Sequence, residues 1–354
     1  MGLWLRKNLF NTWYNVILTL AGLFLSLWGG LSFLDWAINR AKWAVVTENL
    51  GLFVVGRYPE QSIWRIWLIL TILAALSLFS WQLNRGRFPD CPAFLQRWWG
   101  LLWLLTLPLI AWLLLGGLFL KAIPLDDLSG LILTLLVAIA SMILSFPLGV
   151  LLALGRQSEL PAIRWLSIGY IELLRGLPLL GILFMAQVML PLILPAGTRP
   201  ERVIRAIAGF TLFAAAYLAE NVRGGLQAIP KGQIEAAKAL GLKPIFVLLL
   251  IVLPQALKAV IPAIVGQFIS LFKDTSLLAI VGLVDLLGMA GSVLANPKFI
   301  GDYPEVYLFL AFIYWIFCYS MSLASRRLEQ RGVGCGVWGD GVWGVGSFSV
   351  ISKQ

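Results

Sequence analysis

Long apolar segments separated by short polar ones dominate the hydropathy pattern of the chain. A hydrocarbon core of about 30 Å needs roughly 20 apolar residues per helix. Segments that meet this length lie at about 13–34, 63–83, 99–120, 129–155, 166–194, 203–223, 244–272 and 304–325. We therefore predict an all-α membrane protein with about eight transmembrane helices.

The segment 275–295 is also apolar, but small and polar residues interrupt it. These residues are Gly282, Asp285, Gly288 and Gly291. Such interruptions favour a broken or re-entrant element that packs within protein. In the preceding span, 244–272, we expect Pro254 and Pro262 to bend the helix, because each lacks a backbone donor and crowds the preceding turn.

The distribution of basic residues favours eight crossings with both termini in the cytoplasm. Loops 84–98, 155–165 and 224–243 then lie on the same side as the termini and carry arginines or lysines. A ninth crossing would place the basic cluster at 326–331 outside, against the positive-inside tendency. The bias is moderate, because basic residues also occur in the opposite loops. They are Arg40, Lys42, Arg57, Arg199, Arg202 and Arg205.

One short polar stretch, IPKGQIEAAKALGLKP at 229–244, carries its own start and stop signals. Pro230 suits a helix start, since its missing N–H would have no partner there in any case. Lys231 through Leu240 are good helix formers. Gly241 can take the left-handed conformation that ends a helix, and Pro244 can begin the next one. We predict a short helix, a sharp corner and then a long transmembrane helix.

The residues of this short helix leave two interpretations open. Its three alanines, Ala236, Ala237 and Ala239, allow another backbone to approach closely, and Glu235 offers one negative charge. A helix with that surface suits docking into a groove of a partner. An amphipathic helix can also lie on the lipid headgroups.

Composition indicates a membrane protein and excludes several kinds of functional site. Its mean hydropathy is +0.89 and 12% of its residues are charged, against about a quarter in soluble proteins. We assign the net charge of +10 to cytoplasmic loops and not to nucleic-acid binding, because no basic run alternates with aromatics. The chain has no histidine, no CxxC pair and no G-x-x-x-x-G-K-[ST] phosphate loop. We therefore expect no metal site, no cofactor, no catalytic residue and no ATP bound by this chain itself.

The motifs are distributed unequally along the chain. Residues 1–128 hold three predicted helices and a polar outer loop at 35–62, whereas residues 129–330 hold five helices and every patterned motif. Residues 331–354 form a tail rich in Gly, Val and Trp that we expect to be disordered. A G-x-G-x-x-G match at 334–339 lies in this tail. Neither a preceding strand nor a following helix is predicted there, so we reject a dinucleotide fingerprint.

The segment EAAKALGLKPIFVLLLIVLP at 235–254 resembles the EAA---G---------I-LP pattern of permease subunits of ABC importers. The matching residues are Glu235, Ala236, Ala237, Gly241, Ile251, Leu253 and Pro254. In that family the helix inserts into a cleft of the ATPase subunit and transmits ATP-driven closure. The resemblance implies a five-helix, type I permease core at 129–330 with a coupling helix at 231–243. The implied ATPase-coupling residues are Glu235, Ala236, Ala237 and Gly241.

Further stretches resemble the polar amino-acid branch of that family. They are GLILTLLVAIASMILSFPLGVLLALGRQS at 130–158, YIELLRGLPLLGILF at 170–184, AAYLAENVRGGLQAIPKGQIEAA at 215–237 and LFKDTSLLAIVGLVDLLG at 271–288. The extension with VGRYPE at 55–60 resembles the general L-amino-acid permease subgroup. The resemblance implies amino-acid import across the bacterial inner membrane. It also implies three partners: an ATPase that binds the ATP, a second permease in a heterodimer, and an extracytoplasmic amino-acid-binding protein.

Charged and hydroxyl side chains near the spans are candidates for the translocation path. Glu172 and Arg175 share a helical face, and they either line the path or form a structural ion pair. Glu220 and Arg223 repeat this spacing, and we expect them to support the coupling helix. The last group consists of Lys273, Asp274, Thr275 and Ser276. This group could guide a zwitterion at a broken helix; alternatively, Lys273 and Asp274 only cap a helix end.

Two other classes of membrane protein are alternatives. An ion-coupled secondary transporter of polar solutes usually shows intramembrane acidic sites and repeats in both halves, and neither is evident in the sequence. A membrane-embedded enzyme is disfavoured by the lack of histidine and the scarcity of deep carboxylates. We therefore predict a transport subunit and not an enzyme.

Overall fold

The computed structural model describes residues 9–84, 93–117, 119–195 and 199–333, which are almost entirely helical. Apart from two isolated β-bridges, these residues contain no strand. The longer helices are α1 (Trp13–Asp35), α2 (Ala44–Val55), α3 (Ile63–Asn84), α4 (Ala93–Leu115), α5 (Gly130–Arg156), α6 (Pro161–Gly176), α7 (Leu179–Val188), α8 (Arg202–Ala228), α9 (Lys231–Ala239), α10 (Leu253–Asp274), α11 (Leu286–Leu294) and α12 (Tyr303–Val333). The predicted fold class, an all-α membrane protein, is confirmed.

Short helical turns connect several of these helices. Two are π-helical, Trp36–Arg40 and Val247–Val252. The 3-10 turns are Glu60–Ser62, Leu125–Asp127, Thr275–Ala279 and Pro297–Phe299. Two further α-helical turns are Leu190–Ile193 and Pro244–Phe246.

Among the described residues, six helices are long and apolar enough to cross a membrane. They are Trp13–Arg40, Glu60–Ser80, Gly130–Arg156, Arg202–Ala228, Pro244–Ala279 and Tyr303–Arg326. The bent pair formed by α6 and Leu179–Ile193 brings the count to seven. The remaining predicted span, 99–120, falls on α4. There the apolar stretch with described side chains, Leu105–Leu115, is shorter than a crossing.

The predicted span 166–194 is two helices that meet at a corner. The α6 helix ends at Gly176, and the following helical pair turns away from it by 106°. Leu177 is extended, with φ −98° and ψ 141°, because Pro178 disfavours a helical conformation in the residue before it. A single hydropathy peak therefore hides a sharp bend.

Two other segments can be compared with what the sequence predicts for them. The predicted polar outer loop 35–62 contains α2, a 12-residue apolar helix that was not predicted from the sequence. The segment 275–295 is broken as predicted, by a 3-10 turn and by Gly282 with φ +81°. In the preceding span, a π-helical stretch leads into α10 just before Pro254, and Pro262 lies inside α10.

The chain groups into two compact units, one of residues 1–50 and 290–310 and the other of residues 51–289 and 311–354. In the first unit, α1 buries none of its side chains, and the backbone N–H of Lys42 donates to Glu305 Oε1 at 3.0 Å. The boundary at residue 128 that the motifs suggest stays a prediction.

Close helix packing forms the core of the second unit. A Cβ atom added to Gly149 of α5 would lie 2.9 Å from the Leu218 side chain of α8. A Cβ atom on Gly225 of α8 would lie 2.6 Å from the carbonyl oxygen of Ala256 in α10. Glycine and alanine let helix backbones approach closely in membrane proteins. The α8 helix therefore packs tightly against both α5 and α10.

Candidate functional site: two polar surfaces and a buried carboxylate

Two polar surfaces lie at opposite ends of α8. This helix runs for 27 residues from Arg202 to Ala228, a length of about 40 Å. Arg202 lines a charged cavity at its start, and α9 begins just beyond its end. Because α8 is long and apolar enough to span a bilayer, the cavity and α9 lie at opposite ends of a candidate membrane span.

The short helix α9 begins and ends where the turn residues predict. Pro230 precedes it with φ −58° and ψ 132°. Gly241 follows it with φ +77°, a left-handed conformation that glycine adopts without steric cost. The backbone N–H of Leu242 donates to the carbonyl oxygen of Ala237 at 3.2 Å and closes the end of the helix.

One face of α9 is exposed, and the other packs on the chain itself. Glu235, Ala236 and Gly241 are exposed. Ala237 is 4% exposed and lies in an apolar cluster with residues of α8 and α10, so it fastens α9 to its own subunit. Leu240 is 83% exposed. Leu240 is missing from the predicted ATPase-coupling residues, although it directly precedes Gly241, which belongs to that set.

Five charged residues, which we call the Glu220 cluster, join the ends of α5, α6 and α8. Glu220 lies 2.7 Å from Arg156, 2.7 Å from Arg223 and 3.8 Å from Arg175, measured between carboxylate oxygen and guanidinium nitrogen. Arg156 also lies 3.1 Å from Glu172. Glu220 and Arg223, which repeat the helical spacing, form an ion pair, and their predicted support of the coupling helix stays a prediction. The partner of Glu172 is Arg156 of α5 and not the predicted Arg175.

The candidates at the broken helix do not share one environment. Lys273 is exposed, and Asp274 and Ser276 are half-buried. Thr275 is fully buried, and its hydroxyl donates to the carbonyl oxygen of Phe272 at 2.6 Å. Thr275 is the C-cap residue of α10, a role that the capping alternative gave to Lys273 and Asp274, and the part of all four residues in the path stays a prediction.

Asp285 is a buried carboxylate that the sequence marks only as an interruption. Its side chain is fully buried, and its Oδ1 accepts the backbone N–H of Gly288 at 2.9 Å. Its Oδ2 is buried with no hydrogen-bond partner among the described residues. The next residue, Leu286, donates its N–H to Thr134 Oγ1 of α5 at 3.0 Å, across 152 positions of the chain. No local pattern signals such a contact.

The charged cavity at the start of α8 has a volume of about 190 Å³. Its lining includes two arginines and two aspartates: Arg57, Asp126, Asp127 and Arg202. The same segments are tied together nearby, because Glu201 Oε2 accepts the backbone N–H of Leu125 at 2.9 Å. The cavity therefore presents both signs of charge on a fixed frame.

Two hydrogen bonds anchor the segment before α3 beside this cavity. The N–H of Arg57 donates to Ser129 Oγ at 2.7 Å. The hydroxyl of Tyr58 donates to the carbonyl oxygen of Leu114 at 2.9 Å. Burial raises the pKa of the Tyr58 phenol, so the group stays protonated as a donor. Residues 1–128 thus contribute three of the four charged residues of the cavity, Arg57, Asp126 and Asp127.

A family model matches the region that holds most of these features. The description of that family is binding-protein-dependent transport system inner membrane component, and the match covers residues 145–332. This range is more than half of the chain, and it includes α9, the Glu220 cluster and Asp285. The chain belongs to this family of transporter permease subunits, and it is a multi-pass protein of the inner membrane.

Two curated relatives are similar over nearly the whole length of the chain. The inner membrane amino-acid ABC transporter permease protein YhdY of Escherichia coli (strain K12) is 43% identical over 349 residues, which are 93% of this chain and 92% of that protein. The glutamate/glutamine/aspartate/asparagine transport system permease protein BztC of Rhodobacter capsulatus is 34% identical over 403 residues, 93% of each chain. Coverage this long reaches into the N-terminal extension.

A solved structure shares the fold of the permease core. It is described as the crystal structure of an amino acid ABC transporter with histidines, and it matches with a TM-score of 0.52 and 29% identity. The match covers 59% of this chain and 94% of that chain.

Proposed function

We propose that this chain is one of two permease subunits of an importer that carries amino acids into the bacterial cytoplasm. ATP hydrolysis in a separate ATPase subunit drives the transport, and this chain holds no cofactor of its own. The second permease is a related chain in a heterodimer. The observation that carries the proposal is the exposed face of α9 at the end of α8.

The structure of α9 suits the transmission of force. Its inner face is held by Ala237 and by a hydrogen bond of 2.7 Å from Gln255 Nε2 of α10 to Gln233 Oε1. Its outer face offers the carboxylate of Glu235 and the apolar side chain of Leu240. An ATPase that grips this face pulls on α8 through a link of two residues, Ile229 and Pro230. Both termini are cytoplasmic in this arrangement.

The opposite end of α8 receives the substrate. An extracytoplasmic binding protein docks over the charged cavity, where arginines and aspartates offer partners for both signs of charge. Amino acids are proposed as substrates because the relatives YhdY and BztC are named for amino-acid transport. Along the path, Lys273, Asp274 and Ser276 accompany Asp285, whose unpaired Oδ2 suits the ammonium group of an amino acid.

Reconstitution with the partner subunits tests this proposal. The chain is placed in proteoliposomes with the ATPase, second permease and binding protein from its gene neighbourhood, and uptake of labelled glutamate and glutamine is measured. The variant Glu235→Lys places a cation on the exposed face of α9, so it should abolish ATP-dependent uptake while the protein still inserts. The matched control is Glu159→Lys, an exposed charge reversal in the turn between α5 and α6 at the same end of the molecule.

Two outcomes would contradict the proposal. Uptake that proceeds without any ATPase but depends on an ion gradient would identify a secondary transporter. Equal uptake by wild type and Glu235→Lys would show that α9 is not the docking element. Loss of uptake in Glu235→Lys alone, with Glu159→Lys unaffected, supports the proposal.

A further inference from the structure

The Glu220 cluster holds three helices together around one carboxylate. Arg156 is the last residue of α5, Arg175 lies in the last turn of α6, and Glu220 and Arg223 lie in α8. The side chain of Glu220 is 16% exposed, and its arginine partners are 24% to 36% exposed. One largely buried negative charge therefore faces three guanidinium groups.

Packing between these three helices is close around the cluster and along α8. A Cβ atom on Gly155 of α5 would lie 2.3 Å from Ser167 Oγ of α6. The hydroxyl of Tyr170 in α6 donates to the carbonyl oxygen of Leu212 in α8 at 2.8 Å. Arg175 also lies over the ring of Tyr217, at 5.6 Å from its centroid. Several contacts thus hold α5, α6 and α8 together. Glu220 is the carboxylate that pairs with all three arginines.

We propose that Glu220 is a positioning residue for transport, which makes α5 and α6 follow the movement of α8 when α9 is displaced. This inference rests on the proposed function. Glu220 lies about two turns before the end of α8, and only two residues separate α8 from α9. A pull on α9 therefore crosses this two-residue link, reaches Glu220 along the last two turns of α8, and passes to α6 through Arg175. From there it reaches α7 through the corner at Pro178.

Charge, and not only packing, carries this connection. Without the negative charge of Glu220, three guanidinium groups share, within the part of the chain that the structure describes, one remaining ion-paired carboxylate, Glu172, whose side chain is 57% exposed. Like charges repel, and arginine side chains can move their heads into water. The arginines are already partly exposed, so they can turn away without unfolding the chain. The expected result is a folded subunit in which α5 and α6 no longer follow α8.

The test is the number of amino-acid molecules transported per ATP hydrolysed by the reconstituted complex. Glu220→Gln keeps the shape of the side chain and removes its charge, and we expect it to lower this ratio about tenfold, within the usual range of coupling between sites. ATP hydrolysis should continue. Glu220→Asp keeps the charge and should recover most of the ratio, and Glu159→Gln should match wild type.

The ratio separates coupling from stability, because a smaller fraction of folded complex lowers uptake and hydrolysis equally. If Glu220→Gln shows the wild-type ratio, even at reduced yield, Glu220 has a structural role only and the inference is wrong. Equal losses in Glu220→Gln and Glu220→Asp would also refute it, because the retained charge would then have no effect. A wild-type complex without ATP-dependent uptake would refute the proposed function and this inference together. A wild-type complex that transports while Glu220→Gln stays coupled refutes the inference alone.

Discussion

Adjacent glycines near the end of α8 provide a matched pair for measuring helix packing. Gly225 faces α10, and a Cβ atom there would lie 2.6 Å from the carbonyl oxygen of Ala256 and 2.7 Å from Val260 Cγ1. Gly224 has no atom within 4 Å of such a Cβ. Both residues lie inside the same helix. The two substitutions Gly224→Ala and Gly225→Ala therefore differ in steric environment and share the change in helix propensity.

The expected difference follows from two opposing effects. Replacing glycine by alanine inside a helix stabilises it by about 1 kcal/mol through backbone entropy. At Gly225 the new methyl group meets a backbone carbonyl that cannot rotate away, so α8 and α10 must separate, at a cost of about 1–3 kcal/mol. Gly224→Ala should be neutral or stabilising. Gly225→Ala should be less stable than Gly224→Ala by about 1–3 kcal/mol, which corresponds to a melting temperature lower by roughly 2–12 °C.

Thermal unfolding of the purified chain in detergent, followed by size-exclusion chromatography of the heated samples, measures this difference. Gly224→Ala serves as the control for helix propensity and for differences between protein preparations. If the two variants melt at the same temperature, the close approach of α8 and α10 at Ala256 is wrong. Because this result does not depend on transport, it tests the packing alone.

Two further changes test single contacts. Tyr58→Phe removes the hydrogen bond to Leu114 and should lower the free energy of unfolding by about 1–2 kcal/mol. Burial raises the pKa of Tyr58, so its stabilising effect is complete below the unfolded pKa near 10 and is lost as pH rises through the folded pKa. Melting curves between about pH 8 and pH 11 should therefore fall more for wild type than for Tyr58→Phe, and parallel curves would contradict the assignment. Leu240→Ala removes an apolar side chain that is 83% exposed on α9 and should weaken binding of the labelled ATPase about tenfold; unchanged affinity would place the ATPase contact elsewhere.

Much of the fold could be predicted from local sequence, because the responsible forces act over short distances. Transfer of apolar residues into lipid depends on each segment alone, which is why six predicted spans recur as long apolar helices. The start and end of α9 follow from Pro230, Gly241 and Pro244, whose backbone preferences need no distant partner. The corner at Pro178 had the same local cause, but the hydropathy of 166–194 masked it.

The candidate site could be predicted only in part. Glu235 and Gly241 are exposed on the predicted helix, but Ala237 turned inward because the side chains of a helix point in all directions around its axis. The ion pair Glu220–Arg223 could be predicted from sequence, because residues three positions apart lie on the same face of a helix. The contact of Glu220 with Arg156 spans 64 positions, and no rule of spacing along the chain indicates it.

The sequence by itself determined which segments enter lipid, where the short helix α9 begins and ends, and which family the EAA pattern resembles. The first depends on the solvation of each segment, the second on backbone preferences within a few residues, and the third on residue identities at fixed spacing. Only the tertiary structure decided that one carboxylate, Glu220, gathers three arginines from three helices. The same holds for the burial of Asp285 and for the cavity that joins Arg57 to Arg202. Charges and packing surfaces find their partners through space, and the distances between them are set only when the helices assemble.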